Sequence, residues 1–254
     1  MSRATAARPF KARTCWAAII GGCDGPLTGE HLFSKGLFSG KSVQVQGNIW
    51  RTTSLKSIGI NSLTANILCH VHNNALSTVD NEGIRAFRAI RRFEEILSLR
   101  QALADAADLQ HDADGILLER WFLKHAVNLF VVSGRSKQRW PGGFVPSKPP
   151  QQIVEAAFGL VRLQRPLGLY NWAGTRLGER RIVGNQVGFQ PLFDSAGAFL
   201  GGHFDFQALS FLIWLSDITP NLDIGGTPLA EFYHHMGGIF QAPPLGANFR
   251  VRWS

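Results

Sequence analysis

All three cysteines of this 254-residue chain lie in its first third, and that placement constrains the fold most. Their number is odd, so Cys15, Cys23 and Cys69 cannot all pair as disulfides. His72 follows Cys69 three positions later, just before a predicted helix, so one thiolate and one imidazole can face the same ion. Thiolate and imidazole are the usual ligands of zinc. The pattern therefore predicts a structural zinc bound by Cys15, Cys23, Cys69 and His72. The alternative is a set of small buried residues with no metal.

The composition is that of a globular protein, with 45% hydrophobic and 17% charged residues. The net charge of +8 favours an anionic partner such as nucleic acid or an acidic membrane surface, although solubility alone also explains it. The longest apolar run, residues 208–216, is too short to cross a bilayer. No apolar signal-peptide stretch follows the basic N-terminus, so we expect a cytoplasmic protein without a membrane contact.

The order of the patterns predicts an α+β chain. "SVQVQGNIW" alternates like a strand, and we expect a polar loop after it. Helices are predicted from about His72, over 80–106 and over the apolar run 116–132, and strands follow Gly168, ending in the alternating "NFRVRWS". We divide the chain into a basic, flexible N-terminus (1–14), a zinc-containing module (15–115) and a C-terminal α+β domain (116–254). The middle of the chain is predicted to be helical. The C-terminal domain is predicted to combine helices with an antiparallel sheet.

The helix predicted over 80–106 has two distinct faces. Its apolar residues recur at helical spacing and should face a core. Arg85, Arg88 and Arg92 share another face, which is either simply solvated or a strip that contacts phosphates.

Two short stretches, "TGEHLFSK" (28–35) and "LCHVHNNALSTVD" (68–80), resemble the zinc-containing HNH-like endonucleases. That branch carries an S/T-x-E-H-x-x-S-K strand and an L-C-x-x-H-N-x-x-L-S-x-x-D helix. The resemblance covers residues 15–80 and implies a ββα-metal, treble-clef module at the N-terminus. It does not extend to the C-terminal half of the chain.

The resemblance implies a metal-dependent nuclease that hydrolyses phosphodiester bonds, with DNA favoured over RNA. His31 would be the general base, Glu30 and Asn73 would bind one Mg²⁺ or Mn²⁺ ion, and Lys35 would either meet a phosphate or be solvated. Bacterial proteins of this kind often serve in phage defence. The C-terminal domain would then recognise substrate, form oligomers or receive an activating partner.

Some assignments within this resemblance stay open. Thr64 stands at about the position of the family's middle asparagine, and Asn61 and Asn66 flank it, so either asparagine could orient His31. Asp80 either supports the site or caps the next helix, and we favour the structural role of a cap. The competing hypothesis is a non-catalytic zinc module that binds nucleic acid or a protein, which explains the zinc ligands and the charge but leaves Glu30, His31 and Asn73 without a role.

Overall fold

The fold is known from a computed structural model. It describes residues 14–47, 52–98, 110–133, 138–171, 187–206, 209–217, 223–224, 227–228, 238–242 and 247–253. The predicted flexible N-terminus therefore lies almost wholly outside the described residues, as does the predicted end of the second helix. Helices and strands are both abundant, which confirms the α+β prediction.

The N-terminal part contains two pairs of strands and two consecutive helices. These are β1 (Leu27–His31), β2 (Ser42–Gly47), β3 (Thr52–Gly59), β4 (Thr64–Cys69), α1 (His70–Ala75) and α2 (Ser77–Ser98). Strand β1 pairs with β4 in antiparallel fashion, and α1 starts directly after β4, so the order is strand, strand, helix. The intervening β2 and β3 form a separate antiparallel hairpin.

Strand β3 corrects the polar loop that we predicted after "SVQVQGNIW". Its pairing runs from Ser42 opposite Gly59 to Gly47 opposite Thr52. From Ser54 onward the side chains of β3 are exposed or only half-buried, and Leu55 keeps 65% of its surface in contact with solvent. Backbone hydrogen bonds hold this hairpin rather than an apolar stripe, so the hydrophobic pattern could not reveal the second strand.

The remaining elements include one long helix, α3 (Gly115–Ser133). They are β5 (Gln110–Asp114), α3 (Gly115–Ser133), α4 (Gln151–Phe158), β6 (Gly168–Asn171), β7 (Val187–Phe193), β8 (Phe199–Phe206), β9 (Leu209–Trp214), β10 (Asp223–Ile224), β11 (Thr227–Pro228), β12 (Gly238–Ala242) and β13 (Ala247–Arg252). An antiparallel sheet has the order β6–β9–β8–β7, and a second sheet has β13 between β12 and β5. The buried helix predicted over 116–132 and the closing strand are confirmed as α3 and β13.

One large cluster of buried hydrophobic side chains extends from Cys15 to Val251, and a small second cluster contains Tyr170, Leu212 and Trp214. Helix α3 lies within the large cluster and packs against α2, β4 and the β6–β9 sheet. Because α3 has neighbours on every side, 14 of its residues are buried, among them Glu119, Lys124, His125 and Asn128. The division of the chain after residue 115 stays a prediction, although the core runs across it. Within the described parts of the chain, no helix has the length and apolar character needed to cross a bilayer.

Candidate metal centre and the buried polar network beside it

The four predicted zinc ligands come together in the structure. The ligand atoms of Cys15, Cys23, Cys69 and His72 all lie within 4.8 Å of one another. The His72 Nδ1 atom lies 3.5 Å from the sulfur of Cys15, 3.5 Å from that of Cys23 and 3.1 Å from that of Cys69. Metal–ligand bonds of about 2.3 Å to sulfur and 2.0 Å to nitrogen put these atoms about 3.5 Å apart across a tetrahedron. The set is thus compatible with one zinc ion.

The local structure explains how residues far apart in the chain converge. Cys69 ends β4, and α1 starts at the next residue, which brings His72 back over the strand end within one turn. The Trp16 amide donates to the Ile67 carbonyl at 3.0 Å, and this contact holds Cys15 beside β4. Gly21 and Gly22 have φ values of 77° and 68°, a region that glycine enters without strain. They let the loop after Cys15 turn so that Cys23 reaches the cluster.

The protonation states of the cysteines and of His72 decide whether this cluster can bind a cation. Burial raises the pKa of Cys15 to about 12, and burial also raises the pKa of Cys23. Burial lowers the pKa of His72, although a hydrogen bond to the Gly21 backbone opposes this. A neutral imidazole is ready to bind a cation, whereas the Cys15 thiol needs a cation to lose its proton near neutral pH.

Beside the metal centre lies a buried polar network that our sequence analysis did not predict. Lys124 on α3 is fully buried, and its Nζ lies 2.7 Å from Glu30 Oε1 and 2.6 Å from Asp80 Oδ2. The Asn128 amide nitrogen donates to Glu30 Oε1 at 3.1 Å, and the Trp16 indole donates to Asn128 Oδ1 at 3.1 Å. Asn128 therefore links the chain segment that carries Cys15 to β1.

Ser34 and Asp80 extend the network toward α2. The Ser34 hydroxyl donates to Asp80 Oδ1 at 2.6 Å, lies 3.1 Å from His125 Nε2, and accepts a bond from the Trp121 indole at 2.9 Å. Asp80 lies in the first turn of α2 rather than before the helix, so it binds Ser34 and Lys124 and does not cap. The capping role that we favoured for Asp80 is therefore wrong, because the helix already starts at Ser77.

A sequence signal for this network did exist. Lys124, His125 and Asn128 lie among the apolar residues of "ILLERWFLKHAVNLFVV", which also contains Glu119 and Arg120. Polar groups inside a buried helix need partners, because leaving them unpaired in the interior is costly. The pattern indicated that partners were needed but could not say which residues they were.

The residues expected at a nuclease site fall into different environments. His31 ends β1 opposite Thr64, its ring is half-buried, and its Nδ1 atom is buried without a hydrogen-bond partner. Burial, then the charges of Lys35 and Lys124, lower its pKa. The Asn73 amide nitrogen donates to Thr28 Oγ1 at 2.9 Å and so ties α1 to β1.

Glu30 faces the interior and keeps only 2% of its surface exposed. Burial raises its pKa, and the charge of Lys124 and the hydrogen bonds from Lys124 and Asn128 oppose that rise. The structure pairs Glu30 with these two residues, whereas Asn73 contacts Thr28. Of the two flanking asparagines, Asn61 is exposed and its carbonyl accepts a bond from the Thr64 hydroxyl.

No family model, curated protein or solved structure matches this chain. The geometry described above is therefore the basis for assigning a function.

Proposed function

We propose that this protein is an HNH-type endonuclease in which a structural zinc supports the ββα module and His31 is the general base. One observation carries the proposal: His31 ends β1, and β1 pairs with the strand whose end supplies Cys69 and the start of α1. The arrangement matches the strand, strand, helix order that the resemblance implies. The net charge of +8 suits a nucleic-acid substrate, and DNA is our first choice.

The zinc would have a structural role. Four protein ligands fill a tetrahedral site and leave no position for a reactive water. The Cys69 and His72 ligands lie at the junction of β4 and α1, so an ion there would fix the helix start against β1. The bond from Asn73 to Thr28 then acts as a second tie between the same two elements.

The environment of His31 suits proton transfer near neutral pH. Its lowered pKa keeps the imidazole neutral, so it can accept a proton. In the proposed step, water attacks the phosphorus, His31 takes the water proton, and the bond from phosphorus to the leaving oxygen breaks. Solvent supplies a proton to that oxygen. Lys35 is exposed and close enough to affect the His31 pKa, so its ammonium can contact the substrate phosphate.

The Mg²⁺ or Mn²⁺ ion implied by the resemblance does not fit its expected ligands. The Lys124 ammonium lies 2.7 Å from the Glu30 carboxylate, and a divalent cation on that carboxylate would be repelled by it. Within the described residues, the zinc cluster is the one group of three or more His, Cys, Asp or Glu side chains placed to hold a metal. We therefore assign no step to a hard cation.

The second candidate is a zinc module that binds nucleic acid or a protein without cleaving it. The Glu30–Lys124 pair favours this function, because it gives Glu30 a structural role in the interior. His31 and Lys35 would then be ordinary surface residues of a binding face.

A cleavage assay separates the two functions. Purified protein and its His31→Ala form are incubated with supercoiled plasmid, single-stranded DNA and RNA, each with Mg²⁺, Mn²⁺ or EDTA. His70→Ala is the matched control, because His70 is exposed and lies outside the zinc cluster. We expect cleavage by the protein and by the His70 variant, and a loss of at least about 100-fold in the His31 variant. Equal cleavage by the His31 variant, or none by any form that binds nucleic acid, would reject the nuclease.

A second pair of variants tests the phosphate contact. Lys35→Ala should weaken substrate binding, whereas Lys41→Ala, at an exposed lysine before β2, should not. Equal effects of the two substitutions would mean that only the overall charge matters.

A further inference from the structure

A basic cavity that is partly open to solvent lies between α2 and β5, apart from the candidate metal centre. Its volume is about 490 Å³. Its polar wall contains Arg85, Arg88 and Arg92 of α2 with Gln110 and His111 of β5. The volume lies in the range typical of small-molecule sites, about 300–1,000 Å³. From the sequence, these three arginines could be either solvated or in contact with phosphates. In the structure they line a cavity together with polar residues of a strand.

Arg85 is held in place by a buried carboxylate. Its Nε lies 3.0 Å from Glu82 Oε2 and its Nη2 lies 2.9 Å from Glu82 Oε1. Glu82 is buried and also accepts the Asp114 amide at 2.9 Å, which anchors α2 to the end of β5. The positive charge of Arg85 therefore balances the negative charge of Glu82, and this pairing holds the Arg85 side chain in place on the cavity wall.

Arg88 and Arg92 carry the unbalanced charge of the cavity. Both are exposed, and neither forms an ion pair with a carboxylate in the part of the chain that the structure describes. They are four residues apart on the helix, about 6 Å along its axis, so one multiply charged anion can contact both guanidinium groups. Guanidinium groups bind phosphates through paired hydrogen bonds.

His111 contributes an aromatic ring to the cavity wall. Its ring stacks on Phe249 with a centroid distance of 5.4 Å, and its Nε2 atom is buried without a hydrogen bond. Burial and the nearby Arg85 lower its pKa, so the ring is neutral near pH 7 and adds no positive charge to the wall. Ile84 and Phe93 add an apolar surface to the same cavity.

We propose that this cavity binds a nucleoside polyphosphate, with the phosphates on Arg88 and Arg92 and the nucleoside against Ile84, Phe93 and His111. The ligand needs several negative charges to satisfy two guanidinium groups and an apolar part to cover the remaining wall. We favour a small molecule over a polymer because the volume lies in the range of small-molecule sites. This site is separate from His31 and does not depend on the nuclease function.

Isothermal titration calorimetry on the full chain tests the site with ATP, GTP, AMP, inorganic phosphate and a short single-stranded DNA. The test variant is Arg88→Gln with Arg92→Gln. Arg91→Gln is the matched control, because Arg91 pairs with Glu95 on the same helix and does not line the cavity. Thermal unfolding of each variant without ligand verifies that it folds.

We expect ATP or GTP to bind at least about tenfold more tightly than AMP, since the extra phosphates reach both arginines. The double variant should lose about 100-fold in affinity and the Arg91 variant less than about twofold. Nucleotide binding that is absent, or equal in all three proteins, would overturn the proposal. Binding of the oligonucleotide alone, lost in the double variant, would also overturn it and would identify a nucleic-acid contact strip.

Discussion

Lys124 and Glu30 form an ion pair in the protein interior, with Nζ 2.7 Å from Oε1 and both side chains no more than 3% exposed. The pair joins α3 to β1 beside the zinc ligands and fixes the strand that carries His31. Because both charges are removed from water, each depends on the other and on the hydrogen bonds around them.

Removing the Lys124 charge alone should cost more stability than removing the charges of both Lys124 and Glu30. Lys124→Met leaves the Glu30 carboxylate buried without its counter-charge, and we expect the free energy of unfolding to fall by about 3–5 kcal/mol. Adding Glu30→Gln should recover part of this loss, because Gln is neutral and can still accept the Asn128 bond, whereas Asp80 still lacks the Lys124 ammonium. Urea unfolding of the wild type, both single variants and the double variant measures the coupling. Additive effects of the two substitutions would contradict it.

Zinc should bind at about one ion per chain and contribute to stability. Cys23 is the exposed ligand, so Cys23→Ser removes a thiolate with little loss of packing. We expect this variant to lose zinc and to unfold with a free energy at least about 3 kcal/mol lower. Elemental analysis and urea unfolding with and without a chelator measure both effects. His70→Ala should keep its zinc, and a wild-type protein purified without zinc yet equally stable would argue against the site.

Glu119 should make stability fall as the pH rises. It is buried on α3, accepts the Leu169 amide at 2.9 Å, and burial raises its pKa from 4.5 to about 7. Between these values the folded protein holds a proton that the unfolded chain has released, so deprotonation costs folding energy as the pH increases. The total cost by pH 8 is about 3 kcal/mol.

Glu119→Gln should remove this dependence, because the glutamine stays neutral and its oxygen can still accept the Leu169 amide. Unfolding free energies of both proteins are measured from pH 4 to pH 8. The variant should gain stability relative to the wild type as the pH rises through this window. Parallel curves would show that Glu119 titrates alike in the folded and unfolded states.

Gly83→Ala should destabilise the protein although alanine is the better helix former. A Cβ atom at Gly83 would lie 2.2 Å from two ring atoms of Trp121. Trp121 is fully buried and donates to Ser34, so it cannot move without disturbing the polar network. We expect a loss of about 1–3 kcal/mol, opposite in sign to the gain of about 1 kcal/mol expected for an open helix position.

Gly59→Ala is the control for Gly83→Ala, because the nearest atom to a Cβ there is Ser62 Oγ at 3.8 Å. It should change the free energy of unfolding by less than about 0.5 kcal/mol. Thermal or urea unfolding of both variants provides the comparison. A Gly83 variant as stable as the wild type would show that Trp121 can be repacked.

The sequence was most informative where the structure depends on neighbouring residues. Cys69 and His72 are one helical turn apart, so their spacing alone predicted that both could face one ion. The apolar stripe of α2 and the long apolar run of α3 likewise predicted their own helices, because burial of one helix face follows from its periodicity. The strand β3 was missed because it has no such stripe.

Contacts between distant segments were decided by the tertiary structure. The sequence placed Glu30 beside His31 in a motif, but alternation along β1 turned Glu30 inward, where Lys124 of α3 meets it. The same packing brought Ser34 to Asp80 and set β5 against the arginines of α2. Local spacing determines which side chains share a face, whereas the partner of a buried charge depends on which element packs against that face. The sequence therefore determined which four residues can hold a metal ion and where the main helices lie, whereas only the folded chain decided the partner of Glu30 and the shape of the basic cavity.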